Sequence, residues 1–389
     1  MKKFTADFIY PISSPAIKNG VVVVNDFGKI ETLLERDHIE YEGAFESAER
    51  LNGIICPGFI NTHCHLELSY LKGKINNGSG LSDFVNQLQS IRNNFSLEFI
   101  SAQMSSAEDE MLQNGIVAVA DISNGTSSIE QKLKQRLFYH TYVELFGWDP
   151  NKADVIFKSG EAVLNCFLEQ GLHASITAHA PYSCSSKLLI RIASHCQQMS
   201  ATLSIHNQES AAENQLFMSK TGDLAQMLTK FGNDLSSWSP KKMNSLPSYF
   251  ADIMGPTKTL LVHNTFTNHF DVEAVNSMQI YWCLCPNANR FIENRLAEIP
   301  MLIEKKAKIT IGTDSLASNH QLSIWSEIMT ISEHFPEIEL NELLTWATIN
   351  GAKFMGIDQH FGTIEVGKSP GLIHIEQVER KDSKIKRLA

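Results

Sequence analysis

No Cys-x-x-Cys pair occurs in this chain, and its cysteines are odd in number: Cys56, Cys64, Cys166, Cys184, Cys196, Cys283 and Cys285. A disulfide framework is therefore not expected, and a reducing, cytoplasmic compartment is. No apolar run approaches the ~20 residues of a membrane span. Two lysines open the N-terminus, but Asp7 and Pro11 break up the apolar residues behind them, so a signal peptide is not expected. Positive charge is also scarce: 33 basic against 43 acidic residues leave a net charge of −10. Nucleic acid and anionic membrane surfaces attract basic proteins, so neither is expected as a partner. A small-molecule substrate is expected instead, and a homodimer stays open.

What is present is the composition of a globular protein, 43% apolar and 20% charged, with nothing disordered or fibrous about it. By length alone 389 residues suggest two or three domains. One α/β barrel, however, can absorb about 250 residues as a single unit.

The N-terminal segment reads as short strands, β-branched runs broken by NG and DFG turn signals. From Ile54 onward, short apolar runs alternate with longer amphipathic stretches. Eight strand candidates succeed one another: GIICPGFINTH, IVAVADIS, LFYHTYVELFG, HASITAHAP, ATLSIHN, TLLVHN, IYWCLCP and KITIGTD. Helix candidates such as LSDFVNQLQSIRNN and SSKLLIRIASHCQQMS lie between them. Repeated strand–helix alternation implies a parallel sheet, and eight units fit a closed (β/α)8 barrel better than an open sheet. The tail, GTIEVGKSPGLIHIE, is β-like again, so both termini are expected to build one small sheet unit. The segment from about Ala211 to Pro256 is unusually long for a loop; it reads equally as a lid or as a peripheral insertion.

Metal-competent residues fall at the C-terminal ends of five predicted strands. His63 and His65 end the first, His179 the fourth, His206 the fifth, His263 the sixth and Asp314 the eighth. Barrel enzymes place their chemistry at this rim. Residues i and i+2 of a strand point the same way, so both imidazoles of His-x-His can face one ion. A lone His-x-His is weak, because two histidines share a strand by chance; no packing reason accounts for the whole set. Imidazole with carboxylate suits zinc, and iron or manganese can be accepted.

That order of ligands resembles the amidohydrolase superfamily, in particular its cytosine-deaminase-like branch of nucleoside deaminases, chlorohydrolases and aminodeoxyfutalosine deaminases. PGFINTHCHLELSYLKG, AHAPYSCS, HNQESAAE, LVHN, LCPNANRFI, GTDSLASN and the closing GTIEVGK carry the resemblance over nearly the whole chain. It implies a TIM-like (β/α)8 barrel over residues 57–356 and a small β-sandwich built from residues 1–56 and 357–389. It implies one divalent ion, zinc by preference, held by His63, His65, His206 and Asp314. Binuclear relatives add a lysine on the fourth strand, which here reads SITAHAP and has none.

The implied reaction is hydrolytic deamination of a heterocyclic amine such as an aminopurine, nucleoside or aminodeoxyfutalosine-like compound. A bound zinc ion lowers the pKa of its water from ~16 to about 7. Asp314 would ligate the ion and accept a hydrogen bond from that water, although the same residue could instead cap the helix after TDSLASN. Glu209, three residues after His206, would carry protons to the ring and to ammonia; otherwise it is a first-turn glutamate suited to the helix dipole. His263 would hydrogen-bond the attacking oxygen, and His179 would touch the substrate ring. Glu67 is read either as substrate-binding or as a structural carboxylate. Glu144 reaches the pocket or is a paired rim carboxylate, Glu213 reads as a solvated helix residue, and Arg92 either meets an acidic substrate or stays solvated. Ring-opening hydrolysis of a cyclic amide or imidazolone is the alternative reaction. A non-catalytic protein of the same fold is the third, weaker reading, because all four ligands and Glu209 are retained.

Overall fold

The computed structural model describes residues 1–275 and 279–389. Seven strands from the two chain ends form one sheet: β1 (Lys2–Ile9), β2 (Ile17–Lys18), β3 (Val21–Val24), β4 (Ile30–Leu34), β5 (Glu49–Pro57), β14 (Leu372–Ile375) and β15 (Ile385–Arg387). The spatial order is β15-β14-β5-β1-β3-β4, with β2 on the edge of β1. Only β1 and β5 run parallel. Strand β3 is buried on both faces. Val22 and Val24 join Phe4, Ile9, Ile30 and Leu372 on one side. Val21 and Val23 meet Leu34, Tyr41 and Ala44 on the other. Period-two alternation of side chains produces this division.

Eight further strands are all parallel: β6 (Phe59–Cys64), β7 (Ile116–Ser123), β8 (Phe138–Leu145), β9 (His173–Ala178), β10 (Leu203–Asn207), β11 (Thr259–His263), β12 (Ile280–Leu284) and β13 (Lys308–Ile311). They form two four-stranded sheets, β6-β7-β8-β9 and β10-β11-β12-β13. Every predicted strand of this series is present. The run Gly53–His63 is two strands rather than one, divided at Gly58. There β5 leaves the terminal sheet and β6 enters the parallel one. A Cβ at Gly58 would lie 2.3 Å from Val117 Cγ1, so only glycine lets the two sheets approach this closely.

The edges of the two parallel sheets meet twice. His206 N–H donates to His179 O at 2.9 Å, and Thr313 and Asp314 N–H both donate to His63 O at 3.0 Å. Beside the second seam, Asn61 and Thr313 exchange hydrogen bonds of 2.7 and 3.1 Å. The hydrophobic core runs through Phe59, Val143, Ile205, Leu261 and Ile311 to the helices outside, including Phe157, Leu188, Trp325 and Leu343. Among the described residues no helix is long and apolar enough to cross a membrane.

Candidate active site

All the sequence-predicted ligands come from the C-terminal ends of the parallel strands. His206 and His263 lie within β10 and β11, whereas His65, His179 and Asp314 lie just beyond β6, β9 and β13. His63 Nε2 and His65 Nε2 are 3.1 Å apart. Asp314 Oδ1 stands 3.5 Å from each. The ligand atoms of His63, His65 and His206 lie within 4.8 Å of one another, as do those of His63, His263 and Asp314. Donors bonded at ~2.0–2.1 Å around a tetrahedral zinc lie about 3.4 Å apart, so the shorter separations fit one small cation.

Protonation supports the same reading. Burial, then neighbouring His63, pulls the His65 pKa down to about 3. His206 falls well below its ordinary value for the same two causes. These imidazoles are neutral and keep a lone pair for a cation. Burial opposes ionisation of Asp314, but a hydrogen bond with His63 and the polar rings of His65 and His263 beside it hold it well below the usual carboxylate range.

Hydrogen bonds aim each ring. His206 Nδ1 donates to His179 O at 2.7 Å, which turns Nε2 towards the centre. Asp314 divides its oxygens: Oδ2 accepts from Ser318 Oγ at 2.5 Å, and Oδ1 faces the histidines. Asp314 and His263 have φ of +57° and +74°. Non-glycine residues held in this sparsely populated region cluster at functional sites.

Glu209 belongs to the turn between β10 and the helix Ala211–Ser219, whose N-cap is Ser210. It is therefore not a first-turn helix residue. Its Oε1 lies 3.5 Å from His263 Nε2, too far for a good direct hydrogen bond. His263 Nδ1 is 2.8 Å from Asn289 Oδ1, so the ring proton sits there and Nε2 offers a lone pair. Burial, then Asp314 and Glu293, pushes the Glu209 carboxyl well above its ordinary value. His179 Nδ1 is 2.6 Å from Ser183 Oγ, which donates to Ala180 O, so this ring presents Nε2 to the cavity.

Glu67 is buried and accepts from Asn124 N–H at 2.9 Å. It is not among the side chains lining the cavity; it supports Asn124, whose Nδ2 donates to Glu144 Oε2 at 2.9 Å. Glu144 does line the cavity, and its Oε1 is buried without a hydrogen-bond partner. Glu213 is fully buried rather than solvated, accepting from Gln208 N–H at 3.0 Å. Its helix position does not foretell this, because the cover comes from Ser245 and Tyr249, more than thirty residues on.

The cavity measures about 490 Å³. Its inner end carries His65, His179, His206, Glu209, His263 and Asp314. Its outer end is apolar, with Leu81, Phe84 and Leu88 of the helix Leu81–Ile91 on one side and Met227, Leu228 and Phe231 on the other. The second trio belongs to the long segment after β10, which folds into short helices and forms a wall of the cavity. Arg92 also lines the outer end and forms no ion pair among the described residues.

The family model of the amidohydrolase family matches residues 54–388, and the chain belongs to that family. It is a hydrolase acting on carbon–nitrogen bonds. The aminodeoxyfutalosine deaminase of Nitratiruptor sp. is 26% identical over 84% of this chain and 80% of its own length. Two solved structures share the fold. Helicobacter pylori aminofutalosine deaminase, in complex with methylthio-coformycin, has a TM-score of 0.81 at 21% identity, covering 96% of this chain and 91% of that one. An adenosine deaminase from Xanthomonas campestris with bound zinc has a TM-score of 0.73 at 18% identity, covering 96% and 84%.

Proposed function

We propose that this protein hydrolyses the amino group of an adenosine-like heterocycle to ammonia, at a single divalent ion held by His63, His65, His206 and Asp314. The juxtaposition of Glu209 Oε1 and His263 Nε2, 3.5 Å apart beside the ligand cluster in one cavity, carries this reading. Zinc fits the three imidazoles and one carboxylate best, and iron or manganese suits the same donors. When bound, the ion supplies a Lewis acid that makes water a nucleophile near neutral pH.

The chain's own groups do the rest. His263, with its proton on Nδ1, accepts a hydrogen bond at Nε2 and orients the attacking water. Glu209 takes a proton from that water and passes it to a ring nitrogen. It then takes the second proton of the attacking water to the departing amine, so that ammonia leaves and the carbonyl remains. His179 Nε2 accepts from a ring or amino N–H. The outer apolar chamber receives the substituent beyond the heterocycle. Arg92 at its end favours a substituent bearing an acid, such as the benzoate of aminodeoxyfutalosine.

We further propose that the eight parallel strands close into a (β/α)8 barrel, with residues 57–356 as one domain and residues 1–56 and 357–389 as a second. The seam hydrogen bonds from His206 and from Thr313 and Asp314 support closure. Seven free cysteines support a reducing, cytoplasmic compartment.

The test is ammonia release by zinc-loaded protein from adenosine, 5′-deoxyadenosine, methylthioadenosine and aminodeoxyfutalosine. Release is expected from at least one, with kcat lowered roughly 10²–10⁴-fold in Glu209→Gln while the metal stays bound. Hydrolysis of cyclic amides without ammonia release would overturn the deaminase reading in favour of ring opening.

A further inference from the structure

Asp121, at the end of β7, and Lys132, in the short helix Ile129–Lys132, form an ion pair of 2.5 Å with both side chains fully buried. Neither lines the cavity that holds the histidines. A buried ion pair is a poor way to stabilise a fold, because desolvating two charges commonly outweighs their attraction. This one is nonetheless fully equipped. The ammonium has three protons and three acceptors: Asp121 Oδ2, Thr141 Oγ1 at 2.9 Å and Ser123 Oγ at 3.4 Å. The rings of Tyr139 and Phe167 flank it at 5.5 and 5.1 Å.

The other carboxylate oxygen shows where the pair acts. Asp121 Oδ1 accepts from the backbone N–H of Leu66 at 2.8 Å. Leu66 comes directly after His65, which leaves β6 at φ −122° and ψ 81°; the carbonyl of the peptide between them accepts from Leu68 N–H at 3.1 Å, and its N–H is the one that Asp121 holds. The contact therefore pins the His65–Leu66 peptide from the side away from the cavity. Register agrees, since Cys64 and Asp121 are paired across β6 and β7.

We infer that the Asp121–Lys132 pair is a positioning device for the metal ligand His65. Lys132 fixes the Asp121 carboxylate, and the carboxylate fixes the peptide that sets the imidazole 3.1 Å from His63. The inference rests on the proposed metal site. Groups that orient ligands typically contribute 10–100-fold in metal affinity.

The experiment compares wild type with Asp121→Asn, Lys132→Met and the double variant. Zinc affinity is measured by chelator competition, the d–d absorption of the cobalt(II) form is recorded, and the melting temperature of metal-free protein is followed. The double variant replaces both charges and is expected to fold. Its affinity is expected to fall about 10–100-fold, with an altered cobalt spectrum. Arg136→Gln breaks another partly buried ion pair, to Glu108 and Asp109, that does not reach a ligand, and is expected to leave affinity and spectrum unchanged. Wild-type affinity and spectrum in the folded double variant, even with a lower melting temperature, would overturn the inference, as would an equal loss in Arg136→Gln. If the double variant does not fold, Thr141→Val removes one acceptor of the ammonium. A smaller loss of affinity then supports the inference, and none overturns it. A wild type that binds no divalent ion overturns the metal site and this inference with it.

Discussion

Two cavities of similar size lie at opposite ends of the parallel strands. One, of about 490 Å³, opens at the C-terminal ends and holds the histidines. The other, of about 530 Å³, lies by the N-terminal ends of β8 and β9, against the terminal sheet. Both contain ionisable side chains, and volume does not separate them. The state of their polar groups does. At the N-terminal end Arg136 is engaged with Glu108 and Asp109 at 3.2 and 2.6 Å. At the C-terminal end His63 Nδ1, His263 Nε2 and Glu144 Oε1 are buried without hydrogen-bond partners. Leaving a buried polar atom unpaired costs roughly 1–3 kcal/mol. A chain that tolerates several in one place reserves them for something that arrives later.

Metal removal breaks this comparison most sharply. Stripping the ion with a chelator is expected to reduce ammonia release to background, and adding zinc back is expected to restore it. Retained activity in protein shown to be metal-free would make the two ends equivalent. Next in size is His263→Asn, chosen because asparagine tolerates the left-handed backbone at this position. It is expected to lower kcat roughly 10²–10³-fold with metal content unchanged, read from steady-state kinetics and metal analysis.

A stability profile extends the contrast to a carboxyl beside the C-terminal cavity that does not line it. Burial raises the Glu213 pKa from 4.5 to about 8. The folded state therefore holds this proton more tightly than the unfolded chain. The stability it contributes is complete below pH 4.5 and is lost progressively as pH rises to about 8. Glu213→Gln cannot ionise. Thermal melts between pH 5 and 9 are expected to show a flatter alkaline decline than wild type. The smallest effect belongs to the other end: Arg136→Gln is expected to lower the melting temperature yet leave kcat/KM within about twofold.

Much of this contrast was legible in the sequence. All eight parallel strands were marked by apolar runs between turn signals, and His63, His65, His206, His263 and Asp314 were marked by their place at strand ends. The division of the first run at Gly58 was not, because an approach of Val117 from fifty-nine residues away imposes it. Asn289 behind His263, Ser318 behind Asp314 and Asn124 behind Glu144 were equally hidden. Each is an ordinary loop or helix residue until tertiary packing places it beside a ring or carboxylate. The capping reading of Asp314 does not hold: its Oδ2 accepts from the Ser318 hydroxyl, and the helix that follows, Ile324–His334, is capped by Ser323. Local pattern thus identifies groups with distinctive chemistry, while the partners that aim them depend on contacts distant in sequence.

The exchange of hydrogen bonds between Asn61 and Thr313 joins positions 252 residues apart. His63 and Asp314 sit beside that clasp, so the two ends of the ligand set become neighbours only when nearly the whole chain between them has folded. Closing so long a loop is entropically expensive and characteristically late. During synthesis the emerging chain already carries His63, His65 and His206, but it lacks the carboxylate and the clasp until residue 314 has left the ribosome. The carboxylate and the clasp thus join the three histidines last, and the proposed ligand set is complete only once residue 314 has entered the fold.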